Sequence, residues 1–496
     1  MTEPLAPPAP TDLLRTPDDS DVSDGTEWLR RLMPSIQAYR ATEREPFPVY
    51  RSGAVASEPG PLPDDGIGLD GVLDELGAAI EAGCRVAAPG FFGFVTTGAT
   101  TSGIATATAI ATAGGQRYGL HSFNALEETG LRWLAELCGL PEDVAGVFTS
   151  GGSTANLLAL GAARQATLER RGVDASEDGL PPDFHGRIYA SPRAHRTIHR
   201  AAGVLGLGRS AVTEIPADET DRIDLGALVA TMTDDAARGI TPVAIVAIAG
   251  TTDTGSIDPI ADVIDIGRRF GAWVHVDGAY GLIANASPSL RHLFAGLEDA
   301  DSWIVDPHKW LATGLGVGAT FVRDGGLLTR AFAEGAAAYL EGSFDEASQP
   351  QAQFDTIAGP WADQSMELSA PPRGALVWAV LREIGAAGVA RRVDRHVGFA
   401  RHVAGRALAE DELELLLEPT LSVACIAYRT RDPRDADRVN EAILSRLRRE
   451  TSVMPTSTRV RGRYAIRPCF INPRMAFEDV DLMVDAIIRF GRDLDA

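Results

Sequence analysis

Lys309 has a side chain whose chemistry no other residue of this chain can supply. Of the 46 basic residues, 45 are arginine and one is lysine. A lysine amine can lose its proton and act as a nucleophile, whereas the guanidinium of arginine stays charged in proteins. Lys309 lies in the segment Ile304–Trp310 (IVDPHKW), beside a histidine and a tryptophan rather than in a run of charges. The pattern predicts a reactive amine, with a structural ion pair as the alternative.

Asp277 is the second residue with a chemical interpretation. It follows the apolar run Trp273–Val276, and the small residues Gly278 and Ala279 come directly after it. An aspartate at a strand end can pair with a protonated ring nitrogen, and small residues let a flat ring approach the backbone. A pyridinium cofactor needs this pairing, because positive charge on its nitrogen makes the ring an electron sink. Taken alone, Asp277 could also be a helix N-cap; together with Lys309 it predicts a cofactor site.

The motif SGGST at residues 150–154 predicts an anion site. Backbone N–H groups and hydroxyls at the N-terminus of a helix suit a phosphate dianion. Many Gly/Ser turns are only turns, so the motif is weak by itself. The sequence has neither a G-x-x-x-x-G-K-[ST] motif nor a dinucleotide fingerprint. ATP and NAD are therefore disfavoured as the phosphate ligand.

Two further segments could contact the same ligand. His195 ends the segment SPRAH at 191–195 and could stack on a ring that lies between it and Ala279. It could equally be a solvent-facing histidine at the start of a helix. The segment GTT at 250–252 follows an apolar run and offers hydroxyls at another strand end, although such threonines are often strand or cap residues.

The elements that must position these residues alternate between strands and helices. Short apolar runs predict strands, and helix-length segments such as Ile260–Phe270 separate them. The predicted strands are 144–149, 186–190, 242–249, 273–276 and 302–305. Apolar strands that alternate with helices indicate a parallel or mixed sheet covered on both faces. Ligands bind such sheets at the carboxyl ends of the strands.

The chain is expected to have three parts. They are an N-terminal arm and helical segment at 1–85, a large domain at 86–375 and a small C-terminal domain at 376–496. Composition predicts an irregular arm at 1–25 and a long loop at 341–372. Patterns outside the large domain are helical at 26–33, 69–82 and from 374 onward, and strand-like at 423–428 and 464–470.

Composition also limits the classes of function. Acidic residues outnumber basic ones by 68 to 46, giving a formal charge of −22, so nucleic acids and anionic lipids should be repelled. The four cysteines are widely spaced, which disfavours a disulfide framework and a zinc site. The N-terminus lacks the features of a signal peptide, and the weakly polar stretch 98–115 is too short and polar to cross a membrane. We therefore expect a cytoplasmic location, with no metal site and no nucleic-acid or membrane partner.

The order of the motifs resembles the group II pyridoxal-phosphate (PLP) decarboxylases, which include the aromatic amino acid and glutamate decarboxylases. The ordered motifs are SGGST, His195, GTT, HVDGAY at 275–280 and DPHKW at 306–310. The resemblance runs from about Phe91 to Arg474 and is most specific from Gly250 to Trp310. It implies an α/β fold of the aspartate aminotransferase type (PLP fold type I). Such a fold has a large mixed or parallel seven-stranded sheet with helices on both faces, a smaller C-terminal α/β domain and an N-terminal helical segment.

The resemblance also implies roles for individual residues. Lys309 would hold pyridoxal 5'-phosphate as an aldimine (Schiff base), Asp277 would pair with the ring nitrogen, and His195 and Ala279 would enclose the ring. The remaining implied contacts are Gly152 and Ser153 with the phosphate, His308 beside the lysine, Thr252 with the cofactor or substrate carboxylate, and Arg467 with the substrate carboxylate. Arg467 could instead be a surface arginine. Phe92, in a segment similar to one that lines the family's pocket, could instead be core packing.

The implied reaction is decarboxylation of an L-amino acid to an amine and carbon dioxide. The resemblance further implies a homodimer with active sites at the subunit interface. The alternatives are an aldehyde synthase, which decarboxylates and then oxidatively deaminates, and another PLP lyase. A non-catalytic binding protein on the same fold would need Lys309 to be dispensable. The identity of the amino acid stays open.

Two departures from the family pattern bear on the mechanism. Many members carry a tyrosine in the long loop that donates a proton to the product carbon, but no tyrosine lies between Tyr339 and Tyr428. The proton donor is therefore unassigned, and Phe354 in this loop keeps the aldehyde synthase outcome open. Asp306 stands where the aromatic-acid enzymes have asparagine. It is given no role, because a carboxylate there would repel a phosphate unless it turned away.

Overall fold

The computed structural model describes residues 27–46, 62, 64, 66–115, 121–333 and 363–496. The predicted arm at 1–25 and most of the predicted loop at 341–372, with Phe354, lie outside these ranges. The helices are α1 (Glu27–Ala41), α2 (Gly68–Ala82), α3 (Thr101–Thr112), α4 (His121–Cys138), α5 (Gly152–Glu169), α6 (Thr197–Val204), α7 (Leu225–Ala237), α8 (Ile260–Phe270), α9 (Pro307–Trp310), α10 (Gly325–Phe332), α11 (Gly374–Ala409), α12 (Ala436–Glu450) and α13 (Phe477–Leu494). None of these described helices has the length and apolar character that crossing a membrane requires.

A seven-stranded mixed sheet organises the first part of the fold. Its strands are β2 (Ala145–Thr149), β3 (Gly186–Ala190), β4 (Val212–Glu214), β5 (Thr241–Ile248), β6 (Trp273–Asp277), β7 (Ser302–Val305) and β8 (Gly318–Val322). Their order is β2-β8-β7-β6-β5-β3-β4, and β8 runs antiparallel to both of its neighbours. The other pairs are parallel. The predicted fold class is therefore confirmed.

Helices cover both faces of the sheet. The contacts of two successive side chains of β6 show this. His275 bonds to Asn156 of α5, so α5 lies on the His275 face. A Cβ added to Gly267 of α8 would lie 2.3 Å from Val274 Cγ2, so α8 lies on the Val274 face. Neighbouring residues of a strand point to opposite faces. The two helices therefore cover opposite sides, which is why the central strands are apolar without a polar face.

A five-stranded sheet organises the C-terminal part. Its strands are β1 (Phe91–Phe92), β9 (Leu413–Leu417), β10 (Cys425–Tyr428), β11 (Met454–Val460) and β12 (Arg463–Arg467). The order is β1-β11-β12-β10-β9, with β1 parallel to β11 and the other pairs antiparallel. Buried side chains of α11, α12 and α13 pack with this sheet in one core. The three-part division of the chain stays a prediction, and β1 lies in the sheet of the last part.

The carboxyl ends of five strands meet at one edge of the large sheet. β3, β5, β6 and β7 are mutually parallel, and β2 has the same direction because both β2 and β7 are antiparallel to β8. The segments that follow these strands begin at residues 150, 191, 249, 278 and 306. The predicted cofactor-binding residues lie at or shortly after these strand ends, so the topology collects them at one edge.

A column of buried aromatic rings connects this edge to α11. Tyr280 stacks on Trp310 with ring centroids 5.1 Å apart. The indole N–H of Trp310 donates to His396 Nδ1 at 2.9 Å. Burial, with a contribution from Arg395 and Arg392, holds the pKa of His396 well below its usual value. His396 is therefore neutral in the folded protein at neutral pH.

We predict that His396 makes the fold sensitive to acid. Below about pH 6.5 the unfolded chain takes up a proton at this histidine while the folded chain does not, so stability falls as pH falls. His396→Gln keeps an acceptor for Trp310 but cannot titrate. Acidification to pH 5.5 lowers the free energy of unfolding, which can be measured with urea. This loss should be about 1.4 kcal/mol smaller in His396→Gln than in the wild type.

The exposed His292 supplies the control. His292→Gln should keep the wild-type pH dependence. An equal loss of stability in His396→Gln and the wild type would rule out this origin for the acid sensitivity.

Candidate functional site

A cavity of about 370 Å³ opens at the carboxyl edge of the large sheet. Every residue predicted to bind the cofactor lines it. They are Gly152, Ser153, His195, Thr252, Asp277, Ala279, His308 and Lys309. The remaining lining residues include Asn156, Arg193, Thr197, Asp306 and Leu315. Residues from five separate strand ends thus line one cavity.

Lys309 reaches the cavity from the short helix α9, which begins at Pro307 directly after β7. Its Nζ lies 2.9 Å from Asp306 Oδ2. The side chains of Lys309 and Asp306 are 19% and 3% exposed. An ion pair removed this far from water is stronger than a surface pair. Asp306, for which the sequence predicts no role, is therefore the partner of the predicted nucleophile.

Two glycines make room for the Asp306 carboxylate. A Cβ at Gly152 or at Gly318 would lie 2.8 Å from one of its oxygens. The carboxylate consequently sits against the first turn of α5, where the helix dipole favours negative charge. Its Oδ1 is buried and has no hydrogen-bond partner among the described residues. The arrangement turns Asp306 toward Lys309 and the helix backbone.

Asp277 ends β6 and accepts two hydrogen bonds. Asn156 Nδ2 donates to its Oδ2 at 3.1 Å, and the backbone N–H of Ala279 donates to its Oδ1 at 3.2 Å. The side chain is buried, yet it lines the cavity. These two donors thus hold the carboxylate in place, and it presents negative charge to the cavity.

Two histidines that line the cavity also have defined contacts. His195 follows β3, and His308 lies in α9. His195 Nδ1 lies 2.9 Å from Thr197 Oγ1. His308 Nδ1 lies 2.7 Å from the carbonyl oxygen of Val317. A carbonyl can only accept, so His308 carries a proton on Nδ1, and its Nε2 lies 3.9 Å from Asp306 Oδ2.

The N-terminus of α5 forms the anion-binding wall. Gly151 is the N-cap, with φ 141°, and it supplies no side-chain cap. The first N–H groups of a helix have no acceptor within the helix, so here they are available to a ligand. Ser150 Oγ and Thr154 Oγ1 lie 2.9 Å apart beside them. This wall can bind a phosphate through N–H groups, hydroxyls and the helix dipole.

Comparison with known proteins identifies the family. The family model described as "Pyridoxal-dependent decarboxylase conserved domain" matches residues 55–429, which is most of the chain. The chain belongs to the pyridoxal-dependent decarboxylase family. The predicted resemblance is therefore confirmed, as are the enzyme class of PLP-dependent carboxy-lyase and the cofactor.

Relatives of this decarboxylase act on different amino acids, according to their names. The chain is 28% identical to an aromatic-L-amino-acid decarboxylase from Bacillus atrophaeus over 72% of this chain and 70% of that protein. It is 29% identical to an L-2,4-diaminobutyrate decarboxylase from Rhizobium meliloti, over 88% and 84%. A crystal structure of Oryza sativa TDC with PLP and tryptamine matches with a TM-score of 0.87 and 25% identity, covering 97% of this chain and all of that one.

The residues of this decarboxylase fit pyridoxal phosphate. The ligand has an aldehyde, a basic ring nitrogen and a phosphate, and the cavity offers a primary amine, a carboxylate and a helix N-terminus. The cavity also offers the small side chain of Ala279 and the imidazole of His195 as walls for a flat ring. The charge and the hydrogen-bonding capacity of the site match these three functional groups of the ligand.

Two residues predicted to contact substrate lie elsewhere. Arg467 is buried, and its guanidinium donates to the carbonyl oxygens of Phe94, Thr252 and Asp253. Phe92 is fully buried and packs edge-on against Phe470, with centroids 5.1 Å apart. Among the described lining residues of the cavity neither occurs. Their substrate contacts stay predictions, and the packing favours a core role for Phe92.

Sequence reasoning missed several residues of the site. Asn156 and Thr197 line the cavity from helices, and His275 and Ser302 support them from β6 and β7. A signal was present in the segment WVHVD, where the residues at alternate positions can hydrogen-bond and face one side of a buried strand. A polar side chain on a fully buried face requires a partner, so that pattern indicates a hydrogen-bonded network.

We predict that Arg467 positions the 252–253 turn and thereby stabilises the fold. Arg467→Lys keeps the charge, but an ammonium cannot reach three separate carbonyls, so buried acceptors lose their donors. The free energy of unfolding should fall by about 2–4 kcal/mol, measured with urea on the apoenzyme.

Arg463 on the same strand provides a matched control. It is half exposed and pairs with Glu414 through both terminal nitrogens. Arg463→Lys should cost about 0–1 kcal/mol. If Arg467→Lys were as stable as this control and only raised KM, a direct contact with substrate would be the better assignment.

Proposed function

We propose that this enzyme decarboxylates an L-amino acid to the corresponding amine and carbon dioxide, with pyridoxal phosphate bound covalently to Lys309. The observation that carries the proposal is the placing of the chain's sole lysine and a buried aspartate in one cavity with a helix N-terminus. Each group is required at a different part of the same cofactor.

Pyridoxal phosphate, when bound, supplies a pyridinium ring that accepts the electron pair released from the bond between the α-carbon and the carboxylate. Asp277 supports that chemistry by holding a proton at the ring nitrogen through its charge. Its two N–H donors, from Asn156 and Ala279, keep the carboxylate in one orientation. His195 and Ala279, which both line the cavity, would hold the flat ring between them.

Asp306 forms an ion pair with the amine of Lys309. A lysine must lose a proton before it can act as a nucleophile. Asp306 Oδ2 is 2.9 Å from Nζ, so the ion pair fixes the position of the amine at the cavity.

The proposed substrates are L-amino acids as a class. The named relatives include enzymes for aromatic and for diamino substrates. Arg193 lines the cavity, but Asp221 and Asp253 lie within 2.6 Å and 3.4 Å of its guanidinium nitrogens. Its charge is therefore largely balanced within the chain. A cytoplasmic location stays a prediction from the sequence.

We predict that Lys309 is the single site of covalent attachment. Reduction of the holoenzyme with borohydride should add one pyridoxyl group per chain, located on the peptide that contains Lys309. Lys309→Ala should gain no adduct, and carbon dioxide release should fall by at least about a thousandfold, since covalent catalysis is lost. Intact-mass and peptide spectrometry measure the first result, and a coupled carbon dioxide assay measures the second.

The wild-type products test the reaction itself. An amino acid panel should yield amine and carbon dioxide in equal amounts, without hydrogen peroxide or ammonia. Peroxide and ammonia in proportion to carbon dioxide would instead identify an aldehyde synthase. An adduct with no turnover on the whole panel would contradict the proposed catalysis.

We also propose that the enzyme is a homodimer. An apolar groove of about 630 Å³ adjoins the cavity, and Ala107, Ile110, Leu315 and Leu376 line it. Leu315 lines both spaces and is 74% exposed. A second copy that covered this groove would also close the cavity.

We predict a mass of about twice 52.5 kDa by light scattering. Leu315→Glu should shift the population toward monomers, because it places a charge in an apolar interface. Leu408 on α11 is also 74% exposed but lies away from the groove, so Leu408→Glu should remain dimeric. A monomeric wild type would refute the dimer.

A further inference from the structure

A line of hydrogen-bonding side chains runs behind the cavity along one face of β6. Trp273, His275 and Asp277 occupy alternate positions of this strand, so they share the face covered by α5. Ser302 of β7 is the register partner of His275. All four side chains are buried. Such a line is costly in a protein interior unless every member has a partner.

The contacts form a continuous chain that ends on Asp277. Trp273 Nε1 donates to Ser302 Oγ at 2.8 Å, and Ser302 Oγ lies 2.9 Å from His275 Nδ1. His275 Nε2 lies 2.9 Å from Asn156 Oδ1. Asn156 Nδ2 donates to Asp277 Oδ2 at 3.1 Å. Four successive hydrogen bonds thus join a tryptophan to the carboxylate that faces the ring nitrogen.

The two ends, together with a neutral His275, fix the direction of every hydrogen bond in between. An indole N–H can only donate, and a carboxylate can only accept. Asn156 must therefore turn its amide nitrogen to Asp277 and its oxygen to His275. His275 then carries its proton on Nε2 and accepts from Ser302, which accepts from Trp273. Burial lowers the pKa of His275, which agrees with the neutral imidazole that this direction requires.

A branch from Asn156 reaches the other residue that faces the ring. Asn156 Nδ2 also donates to Thr197 Oγ1 at 3.3 Å. Thr197 Oγ1 and the Thr197 backbone N–H lie 2.9 Å and 3.4 Å from His195 Nδ1. A backbone N–H only donates, so His195 Nδ1 is an acceptor and its proton sits on Nε2. One amide therefore contacts Asp277 directly and reaches His195 through Thr197.

We propose that Asn156 is a positioning residue for the cofactor, held by His275 so that its amide orients both Asp277 and His195 toward the ring. The inference rests on the proposed function, because it assumes that Asp277 and His195 contact bound pyridoxal phosphate. All three polar positions of the Asn156 amide are used: the oxygen toward His275, and the two N–H groups toward Asp277 and Thr197. Without it Asp277 loses a donor, and Thr197 loses the hydrogen bond that sets its hydroxyl toward His195.

The experiment compares cofactor binding by variants of similar volume. Asn156→Leu removes all three hydrogen bonds and keeps the side chain's size. Titration of each apoenzyme with pyridoxal phosphate should show binding weakened at least about tenfold, since a hydrogen bond to a charged group is lost. The visible absorption of the bound cofactor should also change, because its ring nitrogen has a differently placed partner. If the leucine variant does not fold, Asn156→Ala should show the same two effects.

Asn285 is the matched control for the loss of a buried amide. It is also buried, and it donates to the carbonyl oxygen of Cys138 at 2.7 Å, away from the cavity. Asn285→Leu should lower the melting temperature of the apoenzyme but leave cofactor affinity within about twofold and the spectrum unchanged. An Asn285→Leu variant that weakened binding as much as Asn156→Leu would overturn the proposal, because the effect would then be structural.

His275 tests the next step along the chain. His275→Gln can still donate an N–H to Asn156, so its cofactor affinity should stay within about threefold of the wild type. His275→Leu cannot donate and should reproduce the tenfold loss. Wild-type affinity and spectrum in Asn156→Leu would refute this inference alone. A wild type that bound no cofactor, or formed no adduct at Lys309, would instead refute the proposed function.

Discussion

The structure depends on holding opposite charges out of water at the carboxyl edge of a buried sheet. A single buried charge costs several kcal/mol, and this cost is offset only when it has partners of good geometry. Lys309 has Asp306 as its partner, and Asp277 has the amide of Asn156 and the N–H of Ala279. The strand order therefore does two things: it packs the apolar strands together, and it places each charged group beside its partner. Charged groups can face the cavity because the surrounding fold provides Lys309 and Asp277 with partners.

Much of the large sheet could be predicted, because its strands are local apolar runs. The predicted strands at 186–190 and 302–305 coincide with β3 and β7. β4 and β8 were missed, since a three-residue strand and the run GATFV, which begins with glycine, give little local signal. β1 could not be predicted from the local sequence. Its two residues form a strand only because they pair with β11, more than 360 positions later in the chain.

Some residues of the candidate site can likewise be predicted from local sequence, whereas others are brought together only by tertiary packing. Lys309, Asp277 and the 150–154 turn are visible because residue type and strand position both indicate them. Asn156 and Asp277 are 121 positions apart, and their hydrogen bond is a product of tertiary packing. Asp306 shows the limit of reasoning from one charge at a time. A carboxylate beside a phosphate is unfavourable in isolation, yet here it pairs with Lys309 against a helix N-terminus. The ion pair of Lys309 is thus observed, and its role as a nucleophile stays a prediction.

The C-terminal sheet and α11 take part in shaping the cavity. Tyr280 follows Ala279 by one residue, and its hydroxyl bonds to Ser422 while its ring stacks on Trp310. Trp310 in turn follows Lys309 and donates to His396 of α11. Tyr280 and Trp310, which adjoin Ala279 and the proposed nucleophile Lys309 in sequence, are thus fixed to the C-terminal part of the protein. A shift of α11 would move Lys309 and Ala279 together, because one stacked pair connects them. The geometry of the site is consequently a property of both sheets, although nearly all its side chains come from one.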